Sequence, residues 1–152
     1  MAKIKICVEN ETQFDLNEKL IIKKAKIITE RIAKITKALE RFEFDVLGFD
    51  ILFCKKEKIK KINREFRKID KETDVITFAL FFDDENRQIC GGEINLGEII
   101  ICPEVEENIP LLIAHGILHL FGFDHQTNKD YNFVVGVQNE VIEDVKIPIQ
   151  KF

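Results

Sequence analysis

The pattern of apolar and polar positions divides the chain into alternating strand and helix segments. Lys3–Val8 sets Ile4, Ile6 and Val8 against lysine and cysteine with the two-residue period of a strand buried on one face. Asp15-Leu-Asn-Glu18 has the form of a capping box, with Asp15 as cap and Glu18 reaching back. It predicts the start of a long amphipathic helix to about Phe42, in which Leu20, Ile21, Ile27, Ile28, Ile32, Ile35 and Leu39 fall near a 3.6-residue period. Phe49–Cys54, after Gly48, reads as a short strand. Lys55–Arg67 reads as a second helix, with Ile59, Ile62 and Phe66 inward and its lysines outward, and Lys68–Thr73 as a polar loop.

Val75–Phe82 is β-branched and aromatic and predicts a buried strand, followed by a charged turn at Asp83–Arg87. Glu93–Cys102, opened by Gly91-Gly92, predicts the returning strand, which Pro103 ends. Pro110 suits the first turn of the next helix. Leu111–Leu120 is apolar almost throughout, so that helix should be central and buried. Thr127 or Asn128 can cap a last helix to about Val145. Strands joined both by helices and by a hairpin predict an α+β fold, a small mixed β-sheet packed with helices around the central one. No repeat, low-complexity segment or linker interrupts the 152 residues, so 1–152 is expected to form one domain.

Composition adds little to this until charge is mapped. A hydrophobic fraction of 45% is ordinary for a globular chain. No apolar stretch is long enough to cross a bilayer, and Met1-Ala-Lys-Ile-Lys-Ile-Cys7 does not read as a signal peptide. Cys7, Cys54, Cys90 and Cys102 are scattered without a C-x-x-C pair, and are expected to be reduced and structural, as in a cytoplasmic protein. The net charge of −4 conceals an asymmetry. Residues 19–71 carry 17 Lys/Arg against 8 Asp/Glu, a local +9, whereas residues 72–152 carry 4 against 15, a local −11. A basic segment in an acidic protein is a candidate footprint for a polyanion, although solvated helix faces give the same count.

The chemistry concentrates in one window. All three histidines lie in His115-Gly-Ile-Leu-His119-Leu-Phe-Gly-Phe-Asp-His125. His115 and His119 are four apart and share a helix face. Gly122 is a natural helix stop, because glycine takes the left-handed conformation at little cost, and the chain can then return His125 to the same point. Three imidazoles leave one tetrahedral position for water, the plan of a catalytic zinc site, whereas structural zinc sites are closed. The spacing matches the zinc pattern of metzincin proteases except in two features. The glutamate that should follow the first histidine is Gly116, and the only methionine is Met1, so no methionine turn can lie under the metal.

What remains is a Lewis acid whose bound water has no adjacent carboxylate base. Phosphodiester cleavage suits such a site, because it depends on positioning and charge stabilisation. Asp124, next to His125, is the nearest carboxylate, either as a catalytic group or as a partner that orients an imidazole. A polyanionic substrate also needs a cation. Arg67, at the end of Asn63-Arg-Glu-Phe-Arg67, can grip phosphate bidentately, with Arg64 as its competitor. Imidazole suits several first-row divalent metals, so zinc is the expectation from availability alone.

The histidine run resembles the hallmark of the YbeY endoribonucleases, bacterial rRNA maturation factors. Asn63-Arg-Glu-Phe-Arg67 with Thr73-Asp-Val-Ile-Thr-Phe78 is similar to the family's second block, and Gly92-Glu-Ile with Leu96-Gly-Glu-Ile-Ile-Ile101 to its third. Order, spacing and length agree over essentially the whole chain. The resemblance implies a zincin-like fold around a metal-binding helix. It implies a single-strand-specific, metal-dependent RNA endonuclease acting in rRNA maturation, notably at the 3′ end of small-subunit rRNA, and in ribosome quality control. It further implies His115, His119 and His125 as metal ligands, Arg67 as serving RNA cleavage, and RNA and the small ribosomal subunit as partners, with no membrane. Two departures stand out: Phe123 replaces a frequent tyrosine, and Glu98 a frequent aspartate. Two other readings share the motif: a zinc-dependent amide or ester hydrolase, and a non-catalytic ribosome-assembly factor with a structural metal.

Overall fold

The computed structural model describes residues 2–83, 87–123 and 127–151. Its elements run β1 (Lys3–Asn10), β2 (Phe14–Asp15), α1 (Glu18–Thr36), β3 (Val46–Phe53), α2 (Lys56–Arg67), β4 (Val75–Ala79), β5 (Glu93–Ile101), α3 (Ile109–Leu120), α4 (Asn128–Ile142) and β6 (Gln150–Lys151). The four-stranded sheet has the order β1-β3-β5-β4. β3 runs parallel to both β1 and β5, while β4 closes one edge antiparallel to β5. β2 and β6 form a separate antiparallel pair. The expected α+β architecture with a small mixed sheet is the one observed. Among the described residues no helix is long and apolar enough to cross a membrane.

Side-chain alternation gives the sheet two apolar faces. Ile4 and Ile6 of β1, Phe49 and Ile51 of β3, and Ile99 and Ile101 of β5 point into the larger core, with α1, α3 and α4. On the opposite face Leu52, Cys54, Ile76, Ile100 and Cys102 form a smaller core with Ile59 of α2. From Leu47 to Phe53 β3 is buried on both faces except at Asp50, as a central strand with parallel neighbours should be. Burial pushes the Cys54 thiol up to about 12, and buried Cys102 reinforces the shift. It therefore packs as a small neutral residue; all four cysteines are unpaired.

Five expectations change. The cap of α1 is Asn17, whose Oδ1 accepts from the Leu20 N–H at 3.1 Å, not Asp15, whose backbone pairs with Gln150 in the β2–β6 ladder. α1 stops at Thr36 rather than near Phe42, because Lys37 turns left-handed (φ 56°) and donates its N–H to the Ala33 carbonyl. Leu39 still reaches the core from the turn beyond, so its periodic position imitated a helix that had ended. The strand expected over Val75–Phe82 ends at Ala79. Phe81 and Phe82 turn instead into an edge-on aromatic cluster with Phe42, with centroids 4.9–6.0 Å apart. Phe66, expected to point inward, is 65% exposed and meets Phe78 edge-on (centroids 5.2 Å), while Asn63 takes the buried position one turn earlier. α4 likewise ends at Ile142, short of Val145.

Candidate metal centre

α3 is almost wholly interior. Asn108 caps it by accepting from the Leu111 N–H at 3.4 Å, and Pro110 stands in its first turn. Every one of its side chains is buried except Leu111, His115 and His119, which recur every four residues and form one open stripe. The two imidazole centroids are 4.6 Å apart with the rings inclined at 57°. The helix ends as its sequence suggests. Gly122 is left-handed (φ 90°), its N–H donates to the His119 carbonyl at 2.9 Å, and the Phe123 N–H reaches back to Leu118 at 3.0 Å. This double closure is a Schellman motif, and it fixes the direction in which the chain leaves toward His125. His125 and Asp124 themselves lie outside the described residues.

His115 is held from a second helix. α4, capped by Thr127 accepting from the Asp130 N–H at 3.1 Å, packs Val134, Val137 and Val141 inward and sets Gln138 beside them. His115 Nδ1 lies 3.2 Å from Gln138 Oε1. An amide oxygen only accepts, so this hydrogen bond forms when Nδ1 carries the proton, the tautomer in which Nε2 has the lone pair. Among the described residues no group of three His, Cys, Asp or Glu gathers as a metal set. The two imidazoles that do gather, one with its Nδ1 already engaged, are a donor pair suited to a first-row divalent metal.

The histidine stripe opens onto a cavity of about 430 Å³ lined by Arg67, Thr73, Asp74, Val75, Ile76, Thr77, His115 and His119. One wall is therefore β4, the outer strand of the sheet, and the other is α3. Of the two arginines singled out in the sequence, Arg67 lines this cavity, whereas Arg64 stands 3.7 Å from Asp70 in an exposed pair. Asn63 secures the segment between. Its Nδ2 donates to the Lys71 carbonyl at 2.8 Å, and its own carbonyl receives the N–H of left-handed Lys68, folding the chain back after Arg67. Its Oδ1 is buried with no hydrogen-bond partner among the described residues.

Gly116 has a reason to lack a side chain. A Cβ there would stand 2.7 Å from Ile99 Cγ2 and 2.8 Å from its Cδ1 on β5. The position faces the sheet rather than the cavity, so a glutamate at this point of the helix would collide with β5 before it could act as a base. The two departures from the family pattern sit apart from the cavity wall. Phe123 lies 5.5 Å from Phe133, ring to ring. Glu98 is paired across the strands with Asp50, and burial, then Asp50, raise its carboxyl above the usual range.

Two residues near the histidines were not singled out in the sequence. Asp74 lies inside the quoted block Thr73–Phe78, and its signal was being the one carboxylate there. Gln138 carries no local signal, because its position depends on how α4 docks.

Fold and cavity define a class: an α+β protein whose buried central helix opens paired imidazoles toward an arginine across a sheet edge. Comparison with known proteins narrows this to one family. The sequence matches the family described as "Endoribonuclease YbeY" over residues 7–146. Proteins named endoribonuclease YbeY from Staphylococcus aureus strains bovine RF122 and JH9 are each 35% identical over 127 residues, covering 74% of this chain and 81% of theirs. The solution structure of TM1509 from Thermotoga maritima has the same fold, with a TM-score of 0.51 at 24% identity, covering 91% of this chain and 90% of that one. The chain belongs to the endoribonuclease YbeY family.

Proposed function

We propose that this chain is a metal-dependent endoribonuclease that cuts single-stranded RNA during rRNA maturation, including at the 3′ end of small-subunit rRNA, and that it serves ribosome quality control. The observation that carries the reading is a shared cavity: His115, His119 and Arg67 line one space in a chain of an endoribonuclease family. His115, His119 and His125 hold one ion, zinc or another first-row divalent metal. Such an ion supplies Lewis-acid charge and makes water nucleophilic near neutral pH.

The chain's own groups do the rest. Arg67 grips phosphate oxygens with its planar fork, a geometry lysine cannot offer. Gly116 supplies no base, since it faces Ile99. Proton acceptance or imidazole orientation therefore falls to Asp124, beside His125, or to Asp74 on the cavity wall. RNA and the small ribosomal subunit are the partners, the compartment is the cytoplasm, and residues 1–152 work as one domain. Support for the last comes from the two apolar cores, which share a single sheet.

Purified, metal-loaded protein offered single-stranded RNA, duplex RNA, a peptide and an ester separates this from its rivals. Cleavage confined to single-stranded RNA is expected. Turnover of peptide or ester with RNA left intact would assign an amide or ester hydrolase, and inertness toward all four would favour an assembly factor.

A further inference from the structure

We propose that Gln138 is the positioning residue of the metal centre: its amide oxygen holds the proton on His115 Nδ1 and so presents Nε2 to the ion. The inference rests on the metal-site reading above, and it adds a residue from a different helix.

A neutral imidazole has two tautomers, and the hydrogen bond made by one nitrogen decides which of the two is free to ligate. His115 Nδ1 lies 3.2 Å from Gln138 Oε1, within reach of a direct hydrogen bond. Both ends of that bond are held by packing. Ala114, Gly116 and Leu118 around His115 are buried, and Val134, Val137 and Val141 seat α4 around Gln138. The pairing joins α4 to α3 and holds the imidazole at once. Metal-ligating histidines as a rule donate their second ring N–H to a carboxylate, a carbonyl or water, and loss of that partner weakens metal binding 10–100-fold. Here the partner is a neutral side-chain amide. It fixes the ring without adding negative charge beside a cavity that has to accept phosphate.

The test uses the full-length protein and two substitutions. Gln138→Leu keeps the volume and removes the acceptor, while Gln138→Glu keeps the acceptor. The first readout is zinc affinity, measured by competition with a chelator. Gln138→Leu is expected to bind zinc about 10–100-fold more weakly, and Gln138→Glu within a few-fold of the parent or tighter. The second readout needs no metal: histidine ¹⁵N spectra of the metal-free protein, recorded where imidazoles are neutral. They are expected to show the Nδ1–H tautomer at His115 in the parent and in Gln138→Glu, and its loss in Gln138→Leu. Thermal melts identify a variant that fails to fold, and in that case the parent spectrum decides. An Nε2–H tautomer in the parent, or a folded Gln138→Leu with parental zinc affinity and parental spectra, overturns the proposal. If His119→Ala binds zinc like the parent, the metal-site reading fails instead, and the metal-free spectra still decide the role of Gln138.

Discussion

A methyl group added at Gly116 would stand 2.7–3.0 Å from three side-chain atoms of Ile99, a residue with no exposed surface. Neither the helix nor the strand can yield easily, because both belong to the larger core. Gly116→Ala is therefore expected to cost about 1–3 kcal/mol by overpacking, and to lower Tm by roughly 2–4 °C per kcal/mol in a chain of this size. A circular-dichroism melt checks this, and an unchanged Tm would mean that α3 does not approach β5 so closely. In the sequence Gly116 registered only as a missing glutamate. That the site excludes any side chain follows from the neighbouring strand, about which local spacing says nothing. The pairing of His115 with His119 was legible, because a four-residue step on a helix fixes a shared face whatever surrounds it. Gln138 was not legible, since 23 residues and a helix docking separate it from its partner.

At the scale of elements, α2 carries both an error and a distinction the sequence left open. Its periodicity assigned Phe66 inward together with Ile59, yet only Ile59 and Asn63 are buried along its length. Ile59 packs into the smaller core, whereas Phe66 in the last turn meets Phe78 of the edge strand and is largely solvent-exposed. The same turn places Arg67 on the cavity and leaves Arg64 against Asp70. Arg67→Ala is expected to keep metal and lose cleavage about 10–100-fold, the value of one charge-assisted hydrogen bond. Arg64→Ala should stay within two- to threefold of the parent, because an exposed pair contributes little. Equal losses in the two variants would remove the distinction. The four helices and the four strands of the main sheet were legible in the right order because burial on one face imprints a period, whereas the two-residue β2 and β6 are too short to show one. The ends of the longer elements were not legible, because ends are set by a left-handed Lys37 or by aromatic side chains turning back, as at Phe81.

Over the whole molecule, the basic segment 19–71 does not form one surface. α1 packs on the larger core and α2 on the opposite face of the sheet, so the local +9 is divided between two sides. The part that adjoins the cavity is the end of α2 and the loop after it, with Arg67 on the wall and Lys68 and Lys71 close by in the chain. Charge along a sequence cannot report this division, which comes from α1 and α2 covering opposite faces of one sheet. The sheet order β1-β3-β5-β4 places β4 outermost, so the cavity lies between the sheet edge and the most buried helix, lined by His115 and His119 of α3 and by Arg67 and β4. The most direct test of the account is elemental analysis of the purified protein, paired with an RNA-cleavage assay on the parent and on His119→Ala. About one divalent transition-metal ion per chain is expected in the parent, and His119→Ala is expected to lose metal and cleavage together. Undiminished cleavage by a His119→Ala protein that carries no metal would contradict it.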